Sequence, residues 1–357
     1  MDSSKIVVDK KVEIEIDETK SKNLIENIKS KFILHKIFNN LQKKKLLGMA
    51  KYNKNLCERI NININDYKEY YEQIEIEIIP VDNKYGKFIN IKKGDEKYYH
   101  IYFNNNIKKE IKRQCANENE QIKIIKIIID YPVNSFTNLF KECELIESIK
   151  FQKFNRNNIT NMNSLFFRCL SLKELNLNHF NTNNVIDMSY MFGSCILLQE
   201  LNLNNFNTTK VTNMKYLFSE CSSLKSLHLT DFNTKNVIDM SSMFQGCSSL
   251  KELNLNSFNT KNVIDMSYMF QGCSSLKELN LNSFNTIKVI KMNNMFFDCS
   301  ALKILKLDNF NFDKVKNMNY MFPGCSDKLI KKMKNHYKIF KEEAYKKFTI
   351  YYSCNRK

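Results

Sequence analysis

The sequence predicts an α/β protein whose larger part is a stack of coils of identical length carrying a parallel β-sheet. A small helical segment and a β-rich module precede the stack, and a helix closes it. Three observations predict this. Cysteines stand at 143, 169, 195, 221, 247, 273, 299 and 325, every gap being 26. Phenylalanines at 154, 180, 206, 232, 258, 284 and 310, and again from 166 to 322, keep the same step, as do methionines from 162 to 318. Within each unit the apolar pattern changes from alternation to steps of three, a change of secondary-structure period.

One unit shows the elements in order. LKELNL (250–255) sets Leu253 and Leu255 on either side of Asn254, the period of a half-buried strand. NSFNTKNV follows as a polar connection anchored by Phe258 and Val263. DMSYMFQGCSSL then spaces Met266, Met269, Phe270, Cys273 and Leu276 along one face of a predicted short helix or tight helical turn. Seven complete units run from about Ile146 to Asp327, and a degenerate one puts Ile128, Val133, Phe136, Phe140 and Cys143 in the apolar slots before them. A coil this small cannot close a core alone. It must lay its side chains on the same side chains of the next coil, which forbids insertions. The column Asn155, Asn181, Asn207, Asn233, Asn259, Asn285 and Asn311 is expected to bond the backbone of its own coil and of the next.

The pattern LKxLNLxxFNTxNVxxMSxMFxGCSSL closely resembles the BspA-type leucine-rich repeats over residues 128–327. The resemblance implies a curved leucine-rich-repeat solenoid that binds other macromolecules, often as a bacterial or protist surface protein acting in adhesion. It attaches no enzyme activity and no cofactor to the repeat.

Eight regularly spaced thiols invite three readings. Stacked coils would bring their Cα atoms within bridging range, but in-register side chains point the same way. Zinc sites pair cysteines two to four residues apart, and no CxxC occurs. A ladder of buried, reduced thiols behaving as small hydrophobes is the expectation, and it suits a reducing compartment.

In the N-terminal part, FILHKIFNNL, a short break and LLGMAKYNKNL resemble an F-box over residues 29–61. That resemblance implies docking to a ubiquitin-ligase adaptor through Phe32, Ile33, Ile37, Phe38, Leu41, Leu46 and Leu47. The usual Leu-Pro opening and any Trp are absent, and a helical hairpin packed on the rest is the plainer reading. QIEIEIIP, GKFINI and KYYHIYF read as about three strands whose edge joins the repeats through 121–130 and caps the first coil. The organisation is then an N-terminal segment (1–28), a helical F-box-like segment (29–62), the β-rich module (63–119), the repeats (120–327) and a basic C-terminal segment (328–357). In the last, residues 328–352 are expected to form an amphipathic helix over the final coil.

The net charge of +17 points toward nucleic acid. However, Asn, Lys and Ile flood the whole chain, as in an AT-rich coding sequence, and the charge is concentrated at the end. Residues 328–357 carry ten Lys or Arg against two Glu, whereas 151–327 carry 17 against 13. A solvated basic tail is the simpler account. No apolar run of about 7–15 residues opens the chain and none reaches the roughly 18 of a membrane span, so a cytoplasmic protein is expected, with export by another route as the alternative. The five His are scattered, and neither GxxxxGK nor GxGxxG occurs, which leaves an enzyme without parts. Recognition remains. The residues between the strand leucines face outward in files: Glu174, Glu200, Ser226, Glu252 and Glu278, beside Asn176, Asn202, His228, Asn254 and Asn280. In related solenoids this is the concave, ligand-facing sheet, so a protein partner is expected there.

Overall fold

The computed structural model describes residues 72–346 and, among the first 71, Asn55, Cys57 and Glu58, which are helical. The chain divides into two units, Met1–Tyr71 and Glu72–Lys357. The candidate adaptor-binding residues Phe32, Ile33, Ile37, Phe38, Leu41, Leu46 and Leu47 lie outside the described residues.

The second unit is mostly sheet and turn, with one α-helix among its described residues. Its strands are β1 (Ile74–Pro80), β2 (Gly86–Lys87), β3 (Tyr99–Phe103), β4 (Glu110–Ile111), β5 (Cys115–Ala116), β6 (Ile125–Ile129), β7 (Ile146–Lys153), β8 (Glu174–Asn176), β9 (Glu278–Asn280) and β10 (Ile304–Lys306). A six-stranded sheet has the order β4-β3-β6-β1-β7-β8. β1 is central: Ile76 stands opposite Ile127 of β6 and Phe151 of β7. Its IEIEIIP alternation buries Ile74, Ile76 and Ile78 completely. β6 likewise buries Ile125, Ile127 and Ile129 and leaves Ile128 half-buried, so Ile128 does not fill the inward slot expected of it. Because β7 and β8 pair in parallel, this sheet passes without a break from the module into the repeats.

Beyond β8 the 26-residue units stack as rungs, but two expectations need correction. The sheet at LKELNL is not continuous. Parallel pairs form between β7 and β8 and between β9 and β10, while residues 200–202, 226–228 and 252–254 carry no regular strand. Each strand is only three residues long beyond β7, and β8 and β9 end at an Asn: Asn176 and Asn280 Oδ1 take the N–H two residues on, at 3.1 Å.

The second correction concerns the predicted helical turn. Its side chains are buried as expected, Met266, Met269, Phe270, Cys273 and Leu276 all at 0% exposure. Its backbone is a series of turns, with left-handed residues at two fixed slots. These are Asn138, Ser164, Tyr190, Tyr216, Ser242, Tyr268, Asn294 and Tyr320, and, four residues on, Glu142, Arg168, Ser194, Glu220, Gly246, Gly272, Asp298 and Gly324. Left-handed residues interrupt a helix and release alternate N–H groups sideways. Met188, Tyr190, Phe192 and Ser194 donate to Asn213, Lys215, Leu217 and Ser219 of the next rung at 2.6–3.1 Å, while Met191, Gly193 and Cys195 close turns within their own rung. Parallel bridges run in one unbroken file, Ser135–Asn161–Asp187–Asn213–Asp239–Asp265–Lys291–Asn317. The continuous parallel ladder therefore lies in this turn region, not at the leucine strands.

The core is a set of columns. Phe140, Phe166, Phe192, Phe218, Phe244, Phe270, Phe296 and Phe322 stack with centroids 5.6–5.8 Å apart and planes within 14°. The ladder cysteines are free and buried. Each thiol from Cys169 to Cys325 donates to the carbonyl of the phenylalanine 29 residues before it, as Cys195 Sγ does to Phe166 O at 3.2 Å. Burial pushes the thiols of Cys221 and Cys273 up to about 12.

Both ends of the stack are closed by hydrogen bonds. Asn90 donates from Nδ2 to Asn138 O (3.1 Å) and Lys141 O (2.7 Å) of the first rung and from its N–H to Leu139 O. At the other end Tyr320 N and Phe322 N donate to Glu343 O and Ala344 O. The closing helix α1 is Asp327–His336, shorter than the helix expected over 328–352. Ser326 caps it, Leu329 and Met333 are its buried residues, and the chain leaves the helix at Tyr337, whose hydroxyl donates to Asp308 Oδ1 at 2.9 Å.

Candidate functional site

The strand leucines turn inward and set the site. Leu175, Leu201, Leu227, Leu253 and Leu279 are at most 9% exposed. Their neighbours are forced outward by the alternation of extended backbone. Glu174, Glu200, Glu252 and Glu278 are exposed, as are Asn202, His228, Asn254 and Asn280, while Asn176 is half-buried. Two shallow grooves gather these side chains. One, of about 430 Å³, is lined by Ser226, His228, Glu252, Asn254, Asn256, Glu278 and Asn280 over a floor that includes Leu253 and Leu255. The other lies where β1, β7 and β8 meet and brings Glu174, Asn176 and Asn202 to Glu77, Ile79, Ser148 and Lys150. Glu200 lines neither.

The asparagines have a second task. Asn176, Asn202, Asn254 and Asn280 each accept the N–H of the residue two positions on through Oδ1, at 3.0–3.1 Å. Their Oδ1 atoms are thus engaged within their own rung, beside a file of carboxylates. The rung at Ser226 and His228 departs from the pattern. Ser226 in place of a glutamate shortens the side chain and removes a charge at the groove, and His228 supplies an aromatic ring. Flanking lysines are tied along the stack: Lys173 Nζ meets Glu147 Oε1 at 2.7 Å and Lys225 Nζ meets Gln199 Oε1 at 2.8 Å.

Two groups escaped sequence reasoning. His100 of β3 bonds Glu110 of β4 through Nδ1 (2.9 Å) and Asp130, just past β6, through Nε2 (3.0 Å). It clasps the edge of the six-stranded sheet. Secondly, Ile186, Ile238 and Ile264 project from the turn ladder at 49%, 47% and 42% exposure. The signal is in the sequence, since these isoleucines share one slot of the 26-residue period, interrupted by Thr212, each following an inward valine. Spacing alone does not separate such a file from the core, because apolar residues at a fixed period are ordinarily buried. Among the described residues no group of three or more His, Cys, Asp or Glu could hold a metal ion, and no helix is long and apolar enough to cross a membrane.

No curated protein matches the chain. Among solved structures, a leucine-rich repeat protein from Bacteroides ovatus ATCC 8483 is similar at 16% identity and a TM-score of 0.22, covering 58% of this chain and 70% of that one. The family described as "Mycoplasma protein of unknown function, DUF285" matches over residues 134–229 and 225–337, more than half of the chain, and the protein belongs to that family.

Proposed function

We propose that the protein is a non-enzymatic, protein-binding repeat scaffold, a 26-residue-per-turn solenoid that engages its partner along the strand face. The observation that carries this reading is the file of outward carboxylates and amides repeated in register over a closed apolar core. Such a face is polar and repetitive and holds no deep pocket, which suits an extended partner making many modest contacts. The groove at Ser226 and His228 is where the repeated pattern changes, and the reading makes it the point at which register along the partner is read. A photo-crosslinking residue at Asn254, with a control at Lys261 on the polar connection, tests the proposal. A cross-linked product specific to position 254 that is lost in the E252K/E278K variant is expected. The same product from position 261 would sink the reading.

The adaptor-docking expectation rests wholly on residues 29–61, and neither comparison lends it support. A pull-down with and without those residues measures it directly. The BspA-type resemblance also carries a surface role, and protease treatment of intact cells separates that from action inside the cell.

A further inference from the structure

A second open surface crosses the rungs on the turn ladder, away from the strand files. Val237 is fully buried and the next residue, Ile238, points out. Ile186 and Ile264 hold the same slot, with Thr212 in the rung between. The main chain pins this column. Thr212 N donates to Ile186 O, Ile238 N to Thr212 O and Ile264 N to Ile238 O, all at 2.8–2.9 Å. The isoleucines therefore cannot retreat inward without breaking the ladder, and their exposure is built into the fold.

Lys210, Asn236, Asn262 and Lys288 stand beside them, and together these side chains line a groove of about 620 Å³. The wall is ordered too. Lys288 Nζ lies 2.8 Å from Asn262 Oδ1, and the amides of Asn236 and Asn262 donate to Thr209 O and Lys235 O at 2.7 and 2.9 Å. No carboxylate lines the groove. Asp239 and Asp265, next in the chain to the isoleucines, turn to the hydroxyls of Ser241 and Ser267 at 2.6 and 2.5 Å.

An apolar floor with a lysine at each end selects its occupant by charge. A second copy of the same groove would bring lysines against lysines. A nucleic acid would satisfy the lysines and leave the isoleucines facing phosphate. An acidic, aliphatic chain satisfies both. Lys210 and Lys288 are three rungs apart, and neighbouring strands lie about 4.8 Å from one another, so roughly 14 Å separates their backbones. An extended chain covers that in about four residues. We propose that this groove docks an extended protein segment carrying two acidic side chains about four residues apart with aliphatic side chains between them.

Random-peptide display against the full chain, followed by fluorescence polarisation with the enriched peptides, tests this. Ile238→Thr with Ile264→Thr installs the residue that Thr212 already provides in this column, so the rungs keep their fold, which circular dichroism checks. Enriched peptides should carry two Asp or Glu about four positions apart. Their binding should weaken at least tenfold in I238T/I264T and again with rising salt. K210E/K288E should reverse the preference toward peptides with lysine in place of the acids, and E252K/E278K on the strand face should leave binding within twofold. Failure to enrich any acidic peptide, or binding of the acidic peptides that is indifferent to I238T/I264T, would overturn the proposal. So would a dimer, seen by sedimentation, that I238T/I264T dissociates.

Discussion

At the scale of single residues, the hydrogen bonds between rungs depend on a threonine column. Thr234, fully buried, donates through Oγ1 to Asn259 O (3.0 Å) and accepts from Asn259 N (2.8 Å). Thr182, Thr208, Thr260 and Thr286 repeat the reciprocal pair. Thr234→Val keeps the shape and strands both backbone groups of Asn259. A loss of about 1–3 kcal/mol is expected in urea denaturation, with Thr234→Ser retaining most of the stability. The asparagine column read from the sequence behaves differently: Asn259 Oδ1 bonds Lys261 N in its own rung. A hydroxyl is short, donates and accepts at once, and fits the interior, whereas the amide lies at the rim, a distinction that spacing does not encode. The second prediction at this scale concerns His100. Burial draws its pKa down, but its bonds to Asp130 and then Glu110 outweigh this, and the net shift is upward. The bond with Lys112, ahead of that with His100, holds the Glu110 carboxyl below its ordinary value. A histidine raised in the folded state contributes its full stability below its unfolded value, near 6.5, and loses it as pH rises through the folded value. Glu110 contributes above its unfolded value and loses that contribution as pH falls. The clasp is therefore strongest in mildly acid solution. Denaturation midpoints of the native chain should fall as pH rises above about 6.5, whereas His100→Gln should flatten that slope.

At the scale of elements, the turn ladder shows how a sequence with helical spacing avoids a helix. Steps of three and four bury the same side chains in a helix or in consecutive turns, so the inward face was legible and the backbone was not. The left-handed slots decide between the two, and only Gly246, Gly272 and Gly324 advertise them in the sequence; elsewhere Tyr, Ser, Asn, Glu, Arg or Asp occupy them. Two glycines give a graded test. A Cβ on Gly272 would sit 3.5 Å from Gly246 Cα, an ordinary contact, so Gly272→Ala should cost only the left-handed penalty of roughly 1–2 kcal/mol. A Cβ on Gly324 would lie 2.8 Å from Asp298 Cα, and backbone must move, so Gly324→Ala should cost a further 1–3 kcal/mol or so. Equal losses in chemical denaturation would contradict the described packing of the last rung.

At the scale of the whole molecule, stability is shared between neighbouring rungs, and the unit of tolerance is 26 residues. Removing residues 248–273 as a block joins equivalent positions and should leave one cooperative thermal transition. Deleting Tyr268 alone shifts the phenylalanine, cysteine and leucine columns together. Each displaced large side chain forfeits about 1.5–3 kcal/mol, and several such losses exceed the roughly 5–15 kcal/mol that holds a domain folded. The cooperative transition should disappear from the circular dichroism melt. The sequence by itself determined the repeat, the identity of its buried columns and the outward files, because stacking requires equivalent side chains at equal spacing and so writes itself as a period. Only the tertiary structure decided which stretch carries the continuous ladder, how Asn90 and the 342–344 turn close the two ends, and that an isoleucine file stays exposed. Those depend on backbone handedness and on partners far apart in the chain, and neither has a periodic signature.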